Sequence, residues 1–144
     1  MAAILAGTRT ACVAHVGDSR VYVLAGAALS QLTHDHSWVE EQVRAGTMSP
    51  SAARQHPWRN VVTRALAGGD DPEVDVQEID PKRGERYLLC SDGLFTAVND
   101  QQIAAILSDQ RASLEEICQR LVEAANAAGG PDNITALVLQ VDAP

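Results

Sequence analysis

The sequence predicts an α+β domain in which antiparallel strands are layered with helices. Three observations predict it. Four β-like runs separated by glycine turns fill the first 32 residues, Arg86-Tyr87-Leu88-Leu89-Cys90 has the continuous apolar character of a central strand, and two capped helical patterns follow.

The β-like segments lie near 2–7, 10–16, 20–24 and 28–32, separated by Gly7-Thr8, Gly17-Asp18 and Gly26. They read as a meander with antiparallel pairing. Val21-Tyr22-Val23-Leu24 joins β-branched and aromatic residues, and Gly26 supplies positive φ for a hairpin. From Ser37 to Ala45, Trp38, Val39, Gln42 and Val43 share one helical face, with Ser37 as N-cap, Glu40 and Glu41 at the positive end of the helix dipole, and Gly46 as terminator. Ser49 or Ser51 opens a second short helix with Pro50 in its first turn, stopped at His56-Pro57. The cluster Gly68-Gly69-Asp70-Asp71-Pro72 predicts a turn, and Glu73 to Ile79 a half-exposed strand. After Arg86–Cys90, Asn99 or Asp100 caps a helix to about Leu107. Ser113, followed by Glu115 and Glu116, opens a longer helix to about Ala127 with Ile117, Leu121 and Val122 on its buried face. Gly129-Gly130-Pro131 breaks that helix, and Ile134 to Val141 reads as the last strand.

With 144 residues, 46% of them hydrophobic, the chain is expected to form one domain, residues 1–144, burying roughly 70% of its unfolded surface. A net charge of -8 argues against a nucleic-acid partner, which calls for clustered Lys and Arg. No run of 18 apolar residues predicts a membrane span, and Arg9 with no preceding basic region makes Met1–Ala14 strand rather than signal peptide. Cys12, Cys90 and Cys118 form no Cys-x-x-Cys pair and sit in apolar runs, so a reducing cytoplasm is the expected compartment. His34 and His36 hint at zinc, but no second spaced pair completes a site.

The chemistry is concentrated in three short segments: Gly17-Asp18-Ser19-Arg20, Ser91-Asp92-Gly93-Leu94 and Gly130-Pro131-Asp132-Asn133-Ile134-Thr135. Each puts an aspartate in a tight turn beside an apolar β-like run. Hard divalent cations such as Mg²⁺ and Mn²⁺ prefer such oxygen donors, so converging turn aspartates predict metal-assisted hydrolysis or phosphoryl transfer.

The order and wording of these segments, with Val13-Ala14-His15-Val16, Leu32-Thr33-His34-Asp35-His36-Ser37-Trp38-Val39, Val62-Thr63-Arg64-Ala65-Leu66 and Leu88-Leu89-Cys90, resemble the metal-dependent protein phosphatases of type 2C. The resemblance runs from about Ala2 to Val141. It implies an α-β-β-α sandwich of antiparallel sheets with its N-terminal part missing, because the family's Asn-Glu-Asp strand and Asp-Gly-Met-Gly-Gly turn do not occur in this sequence. It also implies hydrolysis of phosphoserine and phosphothreonine in proteins by in-line attack of water, with two catalytic Mn²⁺ or Mg²⁺ ions and a third.

By resemblance, Asp92 and Asp132 are the catalytic metal ligands and Asp18 binds the additional ion. Read from its turn alone, Asp18 is equally a hairpin aspartate capping backbone N–H groups. Gly93 is expected to allow the sharp exit behind Asp92, and Asn133 to hold the turn or bond a metal-bound water, the turn role being favoured. Arg20 suits an internal ion pair better than a phosphate clamp. Residues 33–60 resemble the family's flap, with His34, Asp35 and His36 in its hinge. The missing bridging aspartate and phosphate-binding arginine predict impaired turnover. Bare sheet surface predicts self-association or a partner that completes the fold. The alternative function is a non-catalytic phosphatase-like binding or regulatory module. A Gly-Asp-Ser esterase is disfavoured because no Asp-x-x-His motif follows.

Overall fold

Two antiparallel sheets and five helices organise the computed structural model, which describes residues 1–7, 10–66 and 73–142. The element order is β1 (Ala2–Ala6), β2 (Ala11–His15), β3 (Arg20–Ala25), β4 (Ala28–Gln31), α1 (Trp38–Arg44), α2 (Pro50–Gln55), β5 (Asp75–Ile79), β6 (Arg86–Cys90), α3 (Asp92–Phe95), α4 (Asp100–Leu107), α5 (Leu114–Ala127) and β7 (Ala136–Gln140). The predicted turn at Gly68–Pro72, and Thr8 of the first turn, lie outside the described residues. No helix among those described is long and apolar enough to cross a membrane.

The expected meander is divided between two sheets. Strands β1, β2 and β5 form one in the order β1-β2-β5, and β4-β3-β6-β7 form the other. The chain changes sheet at Gly17-Asp18, where a simple hairpin would have kept β2 and β3 paired. Gly17 has φ +99°, a conformation that L side chains rarely adopt, and this lets β2 leave its sheet within a short turn.

The core lies between the four-stranded sheet and its helices. Register puts Tyr22 opposite Leu88 and Leu88 opposite Val138, so these side chains share one face. Leu94, Val98, Ile103, Leu107, Ile117, Leu121 and Ala125 complete the cluster from α3, the turn after it, α4 and α5. Ala125, rather than the predicted Val122, continues the fully buried stripe of α5, as its spacing of four from Leu121 requires. Asn99 with Gln102, and Ser113 with Glu116, form reciprocal capping boxes that satisfy the first orphan N–H groups of α4 and α5. Arg86, read in sequence as part of an apolar run, is buried, and donates to the Leu107 carbonyl at 2.7 Å, to the Asp109 carbonyl at 2.9 Å and to Gln140 Oε1 at 2.8 Å. It thus closes the C-terminal end of α4 against the sheet.

The three-stranded sheet is built differently. Ala3, Leu5, Cys12, Ala14, Val76 and Glu78 share its outer face, where Leu5 is 68% and Val76 66% exposed. In β5 the half-buried ends are Asp75 and Ile79, and the apolar Val76 points outward. Asp75 is turned inward instead, opposite His15 in the register.

Candidate metal centre

Strand register brings the three aspartate turns to one end of the four-stranded sheet. Arg20 of β3 pairs with Cys90 of β6, and Cys90 with Ala136 of β7. Asp18 therefore precedes β3, Asp92 follows β6 and Asp132 precedes β7 at the same edge. Their charges feel one another. Burial first, then the Asp18 and Asp132 charges, push the Asp92 carboxyl above its usual range. A buried carboxylate whose ionisation is made costlier by two neighbouring carboxylates belongs to a donor set suited to a hard cation, which would offset that repulsion.

Backbone packing fixes the Asp92 and Asp132 turns together. Ser91 Oγ donates to the Asn133 carbonyl at 2.9 Å and accepts from the Thr135 N–H at 2.9 Å, stapling the end of β6 to the loop before β7. The Gly93 N–H donates to Asp92 Oδ1 at 3.0 Å, and the Asn133 N–H to Asp132 Oδ1 at 2.7 Å, so each carboxylate is oriented by the residue after it. Gly93 has no positive φ; it lies in α3. Its requirement is space, since a Cβ there would collide with the Asn133 carbonyl and lie 3.1 Å from the Asp132 carbonyl oxygen. Asn133 contributes its backbone carbonyl and N–H to these bonds.

Side chains secure the neighbouring turn. Arg20 donates through Nε to Asp35 Oδ1 at 2.9 Å and through Nη2 to Asp35 Oδ2 at 2.7 Å, donates to Tyr22 Oη at 2.9 Å, and lies 3.6 Å above the Phe95 ring. Burial works against its charge, but Asp35 outweighs that and holds the guanidinium protonated. Arg20 is thus committed internally. Asp35 and His36 of the predicted hinge are also occupied, His36 accepting from the Gly17 N–H at 3.2 Å through Nδ1 and lying 3.1 Å from Asp75 Oδ2 through Nε2. His34 contributes its carbonyl to His15 Nε2 at 2.7 Å.

Two groups escape the sequence reading. His15, His36 and Asp75 bring candidate metal-binding atoms within 4.8 Å of one another, in place of any pairing of His34 with His36. The inward positions of His15 and Asp75 on adjacent strands were the available signal. In residues 33–60, Trp38 packs on His56 at 4.9 Å and edge-on to Trp58 at 5.0 Å between ring centroids, tying α1 to the chain after α2.

The sequence model of the family described as Protein phosphatase 2C matches residues 69–134. The serine/threonine protein phosphatase PstP of Mycobacterium tuberculosis is 41% identical over 141 residues, covering 97% of this chain and 26% of the relative. The serine/threonine phosphatase stp of Listeria monocytogenes is 40% identical over 142 residues, covering 99% of this chain and 56% of the relative. Among solved structures, that of the Mycobacterium tuberculosis PstP/Ppp phosphatase superposes with a TM-score of 0.91 at 38% identity, covering 99% of this chain and 59% of that one. A PstP catalytic domain in complex with two manganese ions gives 0.81 at 37% identity, covering 98% and 58%. The chain spans from a quarter to just over half the length of these curated relatives.

Proposed function

Because the chain belongs to the protein phosphatase 2C family, we propose that it hydrolyses phosphoserine and phosphothreonine in proteins, with Mn²⁺ or Mg²⁺ at Asp92 and Asp132 and a further ion at Asp18. The observation that carries this reading is the convergence of the Asp18, Asp92 and Asp132 turns at one sheet end, where burial and the other two charges raise the Asp92 carboxyl. When bound, the cations supply Lewis-acid activation of water and neutralise charge on the phosphoryl oxygens. The protein's own part is placement. Ser91 and Gly93 lock two carboxylate turns into one unit, and Arg20, consumed by Asp35, leaves substrate phosphate to be met elsewhere.

The same reading treats residues 1–144 as part of a type 2C domain and 33–60 as its flap. It makes the protein a signalling hydrolase opposing a kinase, and its free thiols support a cytoplasmic setting. The 144 residues alone are expected to turn over slowly, because the sequence contains no Asp-Gly-Met-Gly-Gly turn to bridge the ions. A direct test measures Mn²⁺-dependent hydrolysis of p-nitrophenyl phosphate by the chain, by the chain joined to a segment carrying that turn, and by the joined form with Asp92→Asn. Turnover near background, clear turnover, and a loss of about 100-fold are expected in that order. Robust turnover by the 144 residues alone would remove the impairment, and an active Asp92→Asn form would remove Asp92 from the site.

One observation favours the second reading, a phosphatase-like binding module. The outer face with Leu5 and Val76 is largely apolar and, among the described residues, exposed, which suits self-association or a partner that completes the fold. Light scattering on wild type and on Leu5→Ser/Val76→Thr decides it: association that the double variant abolishes supports the module, and a monodisperse wild type opposes it.

A further inference from the structure

His15, His36 and Asp75 have the composition of a transition-metal site, and an open cavity of about 320 Å³ reaches His15 and Asp75. The hydrogen bonds commit these atoms to other partners. A backbone N–H can only donate, so the Gly17 N–H bonded to His36 Nδ1 places the lone pair on Nδ1 and the proton on Nε2. Nε2 then donates to Asp75 Oδ2 and has no lone pair for a cation. His15 likewise spends its Nε2 proton on the His34 carbonyl, and its ring stacks on His36 with centroids 4.5 Å apart.

The group holds a turn instead. The His36 N–H donates to the Gly17 carbonyl at 2.9 Å while the His36 ring accepts from the Gly17 N–H, so one residue binds both backbone polar groups of Gly17, immediately before Asp18. Behind the ring, Asp75 Oδ1 accepts from Arg64 Nη1 at 3.1 Å, and the Thr63 N–H donates to the His36 carbonyl at 2.8 Å. The turn is thereby tied to β5 and to the segment leaving the flap. We infer that His36 is a positioning residue that fixes the Gly17-Asp18 turn, its tautomer set by the Gly17 N–H and supported by Asp75, and so aims the Asp18 carboxylate toward Asp92. The consequence for cation binding rests on the metal reading of Asp18; the turn-holding role does not.

Three substitutions separate the two ring nitrogens. His36→Phe keeps the ring's bulk and removes both nitrogens, His36→Asn restores an acceptor near Nδ1 for Gly17, and His36→Gln restores only a donor near Nε2 for Asp75. Two NMR readouts apply to the whole chain: amide exchange of Gly17 without metal, and broadening of the Asp18 and Ser19 amide signals on titration with Mn²⁺. In the Phe and Gln variants Gly17 exchange is expected to rise roughly tenfold, and about tenfold more Mn²⁺ to be needed for equal broadening, whereas the Asn variant stays within about threefold of wild type. The Thr63 amide, bonded to the His36 carbonyl, reports that the fold persists. If His36→Phe loses that protection, the Asn and Gln pair decides. Equal behaviour of the Asn and Gln variants, whether both protected or both exposed, overturns the inference. If wild type shows no Mn²⁺ broadening near Asp18, Asp92 or Asp132, the metal reading fails, and Gly17 exchange alone decides the role of His36.

Discussion

The two sides of the carboxylate cluster are anchored by different means. Asp92 and Asp132 are locked by close backbone packing, with Gly93 under the Asn133 carbonyl, and by one short side chain, the Ser91 hydroxyl, bonded to both ends of the adjoining loop. The turn at Asp18 is held from behind chiefly by side chains, the His36 ring on one flank, backed by the His36 N–H on the Gly17 carbonyl, and the Arg20–Asp35 pair on the other. Backbone contact leaves no room for adjustment, whereas side-chain anchors fail by degrees. The first side should therefore break abruptly under substitution and the second gradually.

Gly93→Ala tests the abrupt side most severely. The new methyl must displace the Asn133 backbone, so a destabilisation of about 1–3 kcal/mol in denaturant melts is expected, together with loss of Mn²⁺ binding in calorimetric titration. Unchanged affinity would show that the loop before β7 yields more easily than its contacts suggest. Ser91→Ala removes two bonds of the staple and should cost about 1–2 kcal/mol, with weaker Mn²⁺ binding.

Asp92→Asn sharpens the comparison in the opposite direction. The folded state raises this carboxyl, so its contribution favours folding only at acid pH and is lost as pH rises through the elevated value. At neutral pH without metal the charge is a burden, and Asp92→Asn should melt higher than wild type. Added Mn²⁺ should reverse the order, because only wild type gains from binding. A variant that melts lower without metal would show that the three charges are not in conflict.

The smallest effect expected is a pH dependence on the side-chain side. Burial lowers the pKa of His15, with His36 beside it opposing the charge and the His34 carbonyl, Asp75 and Asp35 favouring it. A lowered folded value means that the unfolded chain binds the proton more readily. Stability should be fully present above about pH 6.5 and decline below it, and a His15→Asn variant should show a shallower decline in urea melts at pH 5.5 to 7.5. Equal slopes would place the acid sensitivity elsewhere.

Much of this architecture is written in local signals. Ser37, Ser49, Asn99 and Ser113 all cap the helices their positions predict, because capping is settled within four residues of chain. Features set by distant partners are less legible. Helix α3 is one turn long and contains a glycine, so neither periodicity nor propensity marks it; Gly93 is there because Asn133, forty residues later, lies against it. The change of sheet at Gly17 looks in sequence like any glycine-aspartate hairpin. His15, His36 and Asp75 have no mutual spacing rule, since sheet register and a loop bring them together. The aspartates themselves stand out through their motifs, while the way each is held depends on tertiary packing.

The staple at Ser91 also sets the order of events as the chain folds. Its partners lie beyond α4 and α5, in the loop entering β7, so the bond closes across more than forty intervening residues. Loop-closure entropy delays such a contact until the helices have docked on the sheet and shortened the effective path. Asp92 and Asp132 then meet only in the final stage. Cations added to the refolding chain should leave the early rate unchanged and capture the last step, making the metal a late reporter of completed folding rather than a nucleus for it.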